Sequence, residues 1–325
     1  MAVYTEVSPE ALAAFLEDYA LGAPLALHGI AEGVENSNFL LRTTGGALGD
    51  TFVLTLYEKR VDPAELPWFI GLMRHLAAGG VDCPQPVAAR DGEALRQLAG
   101  RPAAICTFLQ GSGLRDPTVA QCAELGHAMA GLHAAGRGFA AERLNSMGPG
   151  SWEPLLHRCR GAGDTVLPGL CAELDAQLSN VLRRWPTPGS LPRGHIHADL
   201  FPDNAFFQGE RLTGIIDFYF ACTDMLAYDL AVSLNSWCFD QALRFDPARA
   251  RAMLDAYDAQ RPLTAAERDA LPVLCAGAAL RFLLTRLYDW THRPPGALVT
   301  PKDPLQFLAR LRHFAQSEEI AAHVG

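Results

Sequence analysis

Along the first 110 positions the apolar residues gather in short runs with strand character, broken by glycine, asparagine and proline. "PLALHGI" (24–30), "NSNFLLRT" (36–43) and "TFVLTLY" (51–57) predict three strands, and "TGGALGD" between the last two predicts an antiparallel connection. "QPVAA", "ALRQLA" and "RPAAICTFL" predict further strands before residue 110. Ser8-Pro9-Glu10 carries an N-cap residue, a first-turn proline and an acidic first turn, which predicts a helix to about Tyr19. A second helix is predicted from about Pro63 to Ala78, ended by Gly79-Gly80.

After "QGSG" (110–113) the spacing changes. Val119, Cys122, Leu125, Met129 and Leu132 share one helical face between Asp116-Pro117 and Gly136. Helical patterns then run to the end, except near 194–219, where "NAFFQGERLTGIIDF" predicts two short strands around Gly209-Glu210. The expected class is α+β in two lobes. Residues 1–109 form an antiparallel-sheet N-lobe, and residues 110–325 a mostly helical C-lobe reached through a connector near 108–113.

Composition narrows this picture in a few places. With 49% hydrophobic and 19% charged residues, 325 residues suffice for a large core in two lobes. The opening "MAVYTEVSPE" has no apolar run, so no secretory signal is expected. "LPVLCAGAALRFLL" is under 18 residues and holds Pro272 and Arg281, so a buried helix is expected there, not a membrane span. A net charge of −9 without a basic patch argues against a nucleic-acid partner. Of 27 basic residues only Lys59 and Lys302 are lysines, which limits any lysine chemistry to two candidates. The eight cysteines form no CxxC pair, and reduced, buried thiols in a cytoplasmic protein are expected.

The chemistry concentrates in "HIHADLFPDN" (195–204). His195-x-His197 is a metal-ligand pairing, and Asp199 or Asp217 could complete a hydrolase site. However, catalytic zinc needs three protein ligands, and no second histidine pair stands at ligand spacing. A polar turn explains "PDN" alone. It does not explain a second acidic element just after an apolar strand, "GIIDF" (214–218). A phosphotransferase loop explains both. His197-x-Asp199-x-x-x-x-Asn204 has the spacing of the protein-kinase catalytic loop, and Asp217-Phe218 follows across a hairpin where a metal-binding aspartate belongs. One carboxylate must meet the attacking hydroxyl, while an amide and a second carboxylate hold Mg²⁺ on the phosphates of ATP. "GIAEGVENSNF" (29–39) lies between two strands as a phosphate-covering loop would, with Asn36, Ser37 and Asn38 as hydrogen-bond donors. No G-x-x-x-x-G-K-[ST] occurs, so a P-loop NTPase is excluded.

These motifs, with "TLYEKR", "LPWFIGLMRHLA", "TFLQG", "GIIDFYFACTDMLAYDLAVSLNSWCF" and "LRFLLTRLYDW", resemble the aminoglycoside phosphotransferase and choline kinase superfamily, and within it the homoserine kinases of that protein-kinase-like fold. The resemblance implies Asp199 as catalytic base and Asn204 and Asp217 as Mg²⁺ ligands. It implies Thr107, Phe108 and Leu109 as the connector whose backbone reads adenine, and Asp229 as a brace for the catalytic loop. His133 and His197 take structural positions by it. It also implies ATP and Mg²⁺ as cofactors and L-homoserine as the small-molecule substrate, in an early step toward threonine. One departure stands out: Thr55 occupies the place of the usual strand lysine, which leaves Lys59 to replace it from the strand end or no ion pair at all.

Homoserine is a zwitterion, so its site needs a cation for the carboxylate and acceptors for the ammonium. Arg281, Thr285 and Tyr288 fall on one stripe of an apolar helix, with Arg281 either a cleft ligand or a buried ion-pair partner. Asp224, Asn235 and Asp240 are the candidates for the ammonium. Kinases of choline, aminoglycosides or hydroxylysine are the alternatives within the fold, and a non-catalytic nucleotide-binding protein is the alternative outside it.

Overall fold

The computed structural model describes residues 4–30, 36–58, 62–292 and 301–316. The chain divides into two compact units, Met1–Gly111 with Thr213–Tyr219, and Ser112–Leu212 with Phe220–Gly325. The returning segment 213–219 is the difference from a simple division near residue 109. It joins the first unit through Thr213 Oγ1, which donates to Gln110 O, and Ile215 N, which donates to Asp82 O.

The first unit carries a five-stranded antiparallel sheet of β1 (Pro24–Gly29), β2 (Ser37–Gly46), β3 (Gly49–Leu56), β4 (Leu95–Leu98) and β5 (Arg101–Thr107). The spatial order is β1-β2-β3-β5-β4. Alternation along β2 and β3 buries Phe39, Leu41, Phe52 and Leu54 in one cluster. Helix α1 (Pro9–Glu17) closes that cluster with Leu12, Phe15 and Leu16, its N-terminus capped by the Ser8 side chain. Helix α2 (Leu66–Ala78) starts three residues later than expected, because Pro63–Glu65 form a turn and no side chain caps Glu65. "QPVAA" is not a strand. Pro84 and Pro86 offer no N–H to a ladder, so only an isolated bridge, Pro86 to Cys106, forms there.

The second unit holds α3 (Val119–Gly136), α4 (Pro149–Val166), α5 (Leu170–Arg184), α6 (Leu226–Trp237), α7 (Pro247–Gln260), α8 (Ala265–Thr291) and α9 (Leu305–Gln316). A two-stranded pairing of β6 (Arg193–Ile196) with β9 (Cys222–Met225) brackets the catalytic segment. β7 (Ala205–Gln208) and β8 (Arg211–Ile215) form the expected hairpin, turned at Gly209 with φ +64°. Gly126 lets α3 lie directly against the Met253 carbonyl of α7. By length and composition α8 could cross a membrane, but 83% of its most apolar window is buried inside the fold, where packing uses that apolarity.

Candidate active site

β6 carries the chain inward to His197 and Ala198, both fully buried, and Asp199 follows partly exposed. His197 is wholly inaccessible, and Ala198 adopts φ +61°, a left-handed conformation that costs a non-glycine residue roughly 1–2 kcal/mol. The conformation is held from several sides. Asp229, buried in the first turn of α6, accepts the Ala198 N–H at Oδ1 (2.7 Å) and the His197 N–H at Oδ2 (2.8 Å). Arg281 of α8 donates Nη1 to the Ala198 carbonyl. One residue further, the Leu200 carbonyl accepts Trp237 Nε1 (2.9 Å) and Ser236 Oγ (3.2 Å), both from the end of α6. Two helices distant in sequence therefore fix the peptide groups on either side of Asp199.

Asp229 is itself anchored. His133 of α3 places Nε2 3.1 Å from Asp229 Oδ2 and Nδ1 2.7 Å from the Tyr257 hydroxyl of α7. Burial alone would raise the Asp229 pKa, but the hydrogen bond and charge of His133 and the contacts from His197 hold its carboxyl below the ordinary range. His195 does not join a metal site. Its Nε2 faces the Phe139 carbonyl at 2.8 Å and its Nδ1 the Thr223 hydroxyl at 3.3 Å, while His197 Nδ1 accepts the Asp199 N–H at 3.3 Å. No group of three His, Cys, Asp or Glu poised for a metal occurs among the described residues.

Phe201, Pro202 and Asp203 reverse the chain, closed by Asn204 N donating to Phe201 O. Asn204 then turns its Nδ2 back onto the Asp199 carbonyl (2.8 Å) and carboxylate (3.3 Å). This engages the amide nitrogen and leaves Oδ1 as the group's acceptor, a hard oxygen of the kind a small divalent cation prefers. Asp217 belongs to the first unit. It stands exposed just past β8, with φ +66°, immediately before the buried Phe218. An amide oxygen and a carboxylate are each donors of the kind Mg²⁺ takes, since it binds few protein ligands and keeps substrate phosphates and waters.

A carboxylate on a strained, clamped loop five residues before an anchored amide has the spacing of a phosphoryl-transfer loop. Residues 26–263 match the profile of the phosphotransferase enzyme family. The chain belongs to that family. A homoserine kinase of Gluconacetobacter diazotrophicus is 61% identical over 99% of both chains, and one of Brucella anthropi is 52% identical over 99% of this chain and 97% of its own. Among solved structures, a spectinomycin phosphotransferase in complex with ADP and spectinomycin superposes with a TM-score of 0.69 at 10% identity, covering 98% of each chain. An amicoumacin kinase in complex with AMP-PNP and Ca²⁺ gives 0.68 at 14% identity, covering 96% of this chain and 93% of its own. At those identities the two structures show the shared fold.

Within this phosphotransferase, several nucleotide-site expectations need correction. Ser37 is fully buried, and its hydroxyl donates to Glu58 Oε1 (2.7 Å) while accepting the Tyr4 N–H (2.8 Å), so it is not a phosphate donor. Asn36 is buried too and uses Oδ1 to accept the Glu58 N–H. Asn38 is half-buried and accepts from Thr55 Oγ1 at 2.8 Å. Glu58, overlooked in the sequence, is a hub: it also takes the Thr5 hydroxyl and pairs with Arg101 Nε at 3.1 Å. Thr107 ends β5 and trades hydrogen bonds with Gln85, and Phe108 and Leu109 follow beyond the ladder, Phe108 exposed. Lys59 lies outside the described residues.

The substrate-binding candidates are not brought together. Asn235 is wholly buried between α6 and α8, with Nδ2 donating to Ala231 O and Cys275 O, so it joins helices and does not face a ligand. Asp224 pairs across from Gly194 at the far end of β6 from Asp199, and accepts Asn145 Nδ2 and its neighbour's N–H. It lines a separate cavity of about 490 Å³ with Arg193 and Asn145. Tyr288 stacks on His292 and under Arg158. Asp240 is spent on a turn with Arg244. Arg281 follows neither alternative: it is 3% exposed, forms no ion pair among the described residues, and braces the Ala198 carbonyl.

Proposed function

We propose that the protein is an ATP-dependent homoserine kinase acting in the cytoplasm, in the route to threonine. It transfers the γ-phosphoryl group of ATP to the hydroxyl of L-homoserine, giving ADP and O-phospho-L-homoserine. The observation that carries this reading is the clamped Asp199 carboxylate five residues before the anchored Asn204, in a chain 61% identical over nearly its whole length to a homoserine kinase.

In this reading Asp199 accepts a hydrogen bond from the substrate hydroxyl and takes its proton as the new O–P bond forms and the bond to the β-phosphate oxygen breaks. The clamps from Asp229 and Arg281 keep the carboxylate from reorganising during the step, which is where positioning lowers the barrier. Asn204 and Asp217 would hold Mg²⁺, which neutralises charge on the phosphates. This pairing rests on the motif spacing and on the oxygen donors each offers. Thr107, Phe108 and Leu109 would receive the adenine. A coupled ADP-release assay over L-homoserine, choline, hydroxylysine and kanamycin tests the reading. L-Homoserine should give the highest kcat/KM, and turnover of choline or kanamycin without L-homoserine would overturn it.

A further inference from the structure

Phe201 of the catalytic loop, Phe282 of α8 and Phe307 of α9 form one aromatic cluster, with ring centroids 4.8 Å apart for Phe201–Phe282 and 5.2 Å for Phe282–Phe307. Four cations lie on it. Arg281 stands 4.4 Å over Phe282, Arg286 and Arg310 stand 4.5 and 4.4 Å over Phe307, and Lys302 stands 5.8 Å over Phe201. Lys302 alone has a carboxylate within ion-pair distance, Asp203 at 3.5 Å. The three arginines have none among the described residues. In a chain of net charge −9, where Arg160, Arg249, Arg261 and Arg312 each meet a carboxylate within 2.8 Å, three guanidiniums without one beside the catalytic loop need an explanation.

Their roles separate. Arg281 spends Nη1 on the Ala198 carbonyl and is buried. Arg310 packs between Phe239 and Phe307, with its Nε buried and unbonded. Arg286 is half-buried, and both of its hydrogen bonds leave from Nη1, to Gln306 Oε1 (3.1 Å) and the Asp303 carbonyl (3.4 Å). Among the described residues its Nε and Nη2 meet no hydrogen-bond acceptor. Desolvation pulls the Arg286 pKa down to about 10, opposed first by the negative charge of Asp199 and then by Asp203 and Asp303, so it is a cation at neutral pH set near the catalytic carboxylate. A guanidinium with two open N–H groups, backed by further positive charge, is built to receive a carboxylate or phosphate in a two-bond grip.

We propose that Arg286 is a specificity-determining residue that binds the α-carboxylate of the acceptor, so that this site selects zwitterionic amino-acid alcohols and disfavours cationic ones. The inference rests on the homoserine kinase reading. It places the grip five residues further along α8 than Arg281, with the remaining cations raising the local positive potential.

The test compares L-homoserine with 3-aminopropan-1-ol, which keeps the hydroxyl and ammonium and lacks the carboxylate, in wild type, Arg286→Gln and Arg286→Lys. Losing a two-bond, charge-assisted contact should lower kcat/KM for L-homoserine about 10²–10³-fold in Arg286→Gln, mainly through KM. Arg286→Lys should recover part of that loss. The value for 3-aminopropan-1-ol and the KM for ATP should hardly change, so the preference for L-homoserine collapses. Equal losses on both acceptors would overturn the proposal, since a grip on the γ-phosphate or a role in positioning the loop affects both alike. An unchanged preference would overturn it as well. The wild-type arm supplies a check free of folding effects: if L-homoserinamide, its carboxylate neutralised, is used as well as L-homoserine, no carboxylate grip exists. Failure of wild type on L-homoserine with turnover of choline instead would strike the functional reading, not the assignment of Arg286 alone.

Discussion

Replacing Asp229 by asparagine changes one atom's identity and leaves the shape of the site nearly intact, so its consequences can be worked out. The carboxylate now accepts from Ala198 N, His197 N and His133 Nε2. An asparagine can keep Oδ1 on Ala198 N, and its NH₂ then replaces Oδ2. His133 can adapt, because exchanging its ring proton lets Nε2 accept from the amide and Nδ1 donate to Tyr257. The His197 N–H cannot adapt, and it would face another donor in a fully buried place. One orphaned buried N–H costs about 1–3 kcal/mol, and weakening the charge-assisted bond to Ala198 adds about 1 kcal/mol. A total of about 2–4 kcal/mol lowers Tm by roughly 5–12 °C for a folding unit of 150–250 residues. Turnover should suffer beyond this, because those same bonds hold Ala198 at φ +61° beside Asp199, and a shift of about 1 Å there costs on the order of 10²-fold in rate.

The pH dependence gives an independent check. The folded carboxyl of Asp229 titrates below its ordinary value, so its stabilisation is complete above the unfolded pKa of about 3.9 and is lost as pH falls through the lower, folded value. The stability gap between wild type and Asp229→Asn should therefore be constant from pH 5 to 7 and should close below about pH 4. Thermal melts by circular dichroism across that range, with kcat at pH 7, measure both quantities. A variant with wild-type Tm and wild-type kcat would refute the account of the loop clamp.

Three further outcomes are expected. Asp199→Ala should lower kcat about 10²–10⁴-fold while ATP binding, read by nucleotide titration, stays close to wild type. Asp217→Asn should nearly abolish turnover at saturating Mg²⁺ without lowering Tm, because its side chain is exposed; near-normal activity would remove it from the metal set. Gly126→Ala should destabilise by at least about 1–3 kcal/mol, since its Cβ would press on the Met253 backbone carbonyl, and a melt unchanged from wild type would contradict the close approach of α3 and α7.

Local chemistry was legible in the sequence wherever neighbours along the chain decide it. The turn from Asp199 to Asn204, the turn at Gly209 and the Ser8 cap each close through contacts spanning only a few residues. The alternation in β2 and β3 was clear for the same reason, since each strand's own period reveals its buried face. β6 was not seen, because Arg193–Ile196 has only four residues and its partner β9 begins 26 positions after it ends. Ser37 was misread for a related reason. A serine between glycine-rich and strand segments suits a phosphate loop, and only the distant Glu58 shows that its hydroxyl is committed inward.

The arginines of α8 carry this argument furthest. On a helical wheel Arg281 and Arg286 are both cations interrupting an apolar helix, and periodicity gives no ground for preferring either as the ligand of an anion. What separates them is the acceptor each meets across 83 and 20 residues of sequence: a catalytic-loop carbonyl for Arg281, and a side chain of α9 that takes only one nitrogen of Arg286. A guanidinium 3% exposed and bonded to a fixed loop carbonyl, its Nε buried without an acceptor among the described residues, is closed off as scaffold. One that keeps two donors open beside a reactive carboxylate can still bind something. That difference lies in burial and in acceptors far along the chain, which a pattern of residue types does not encode.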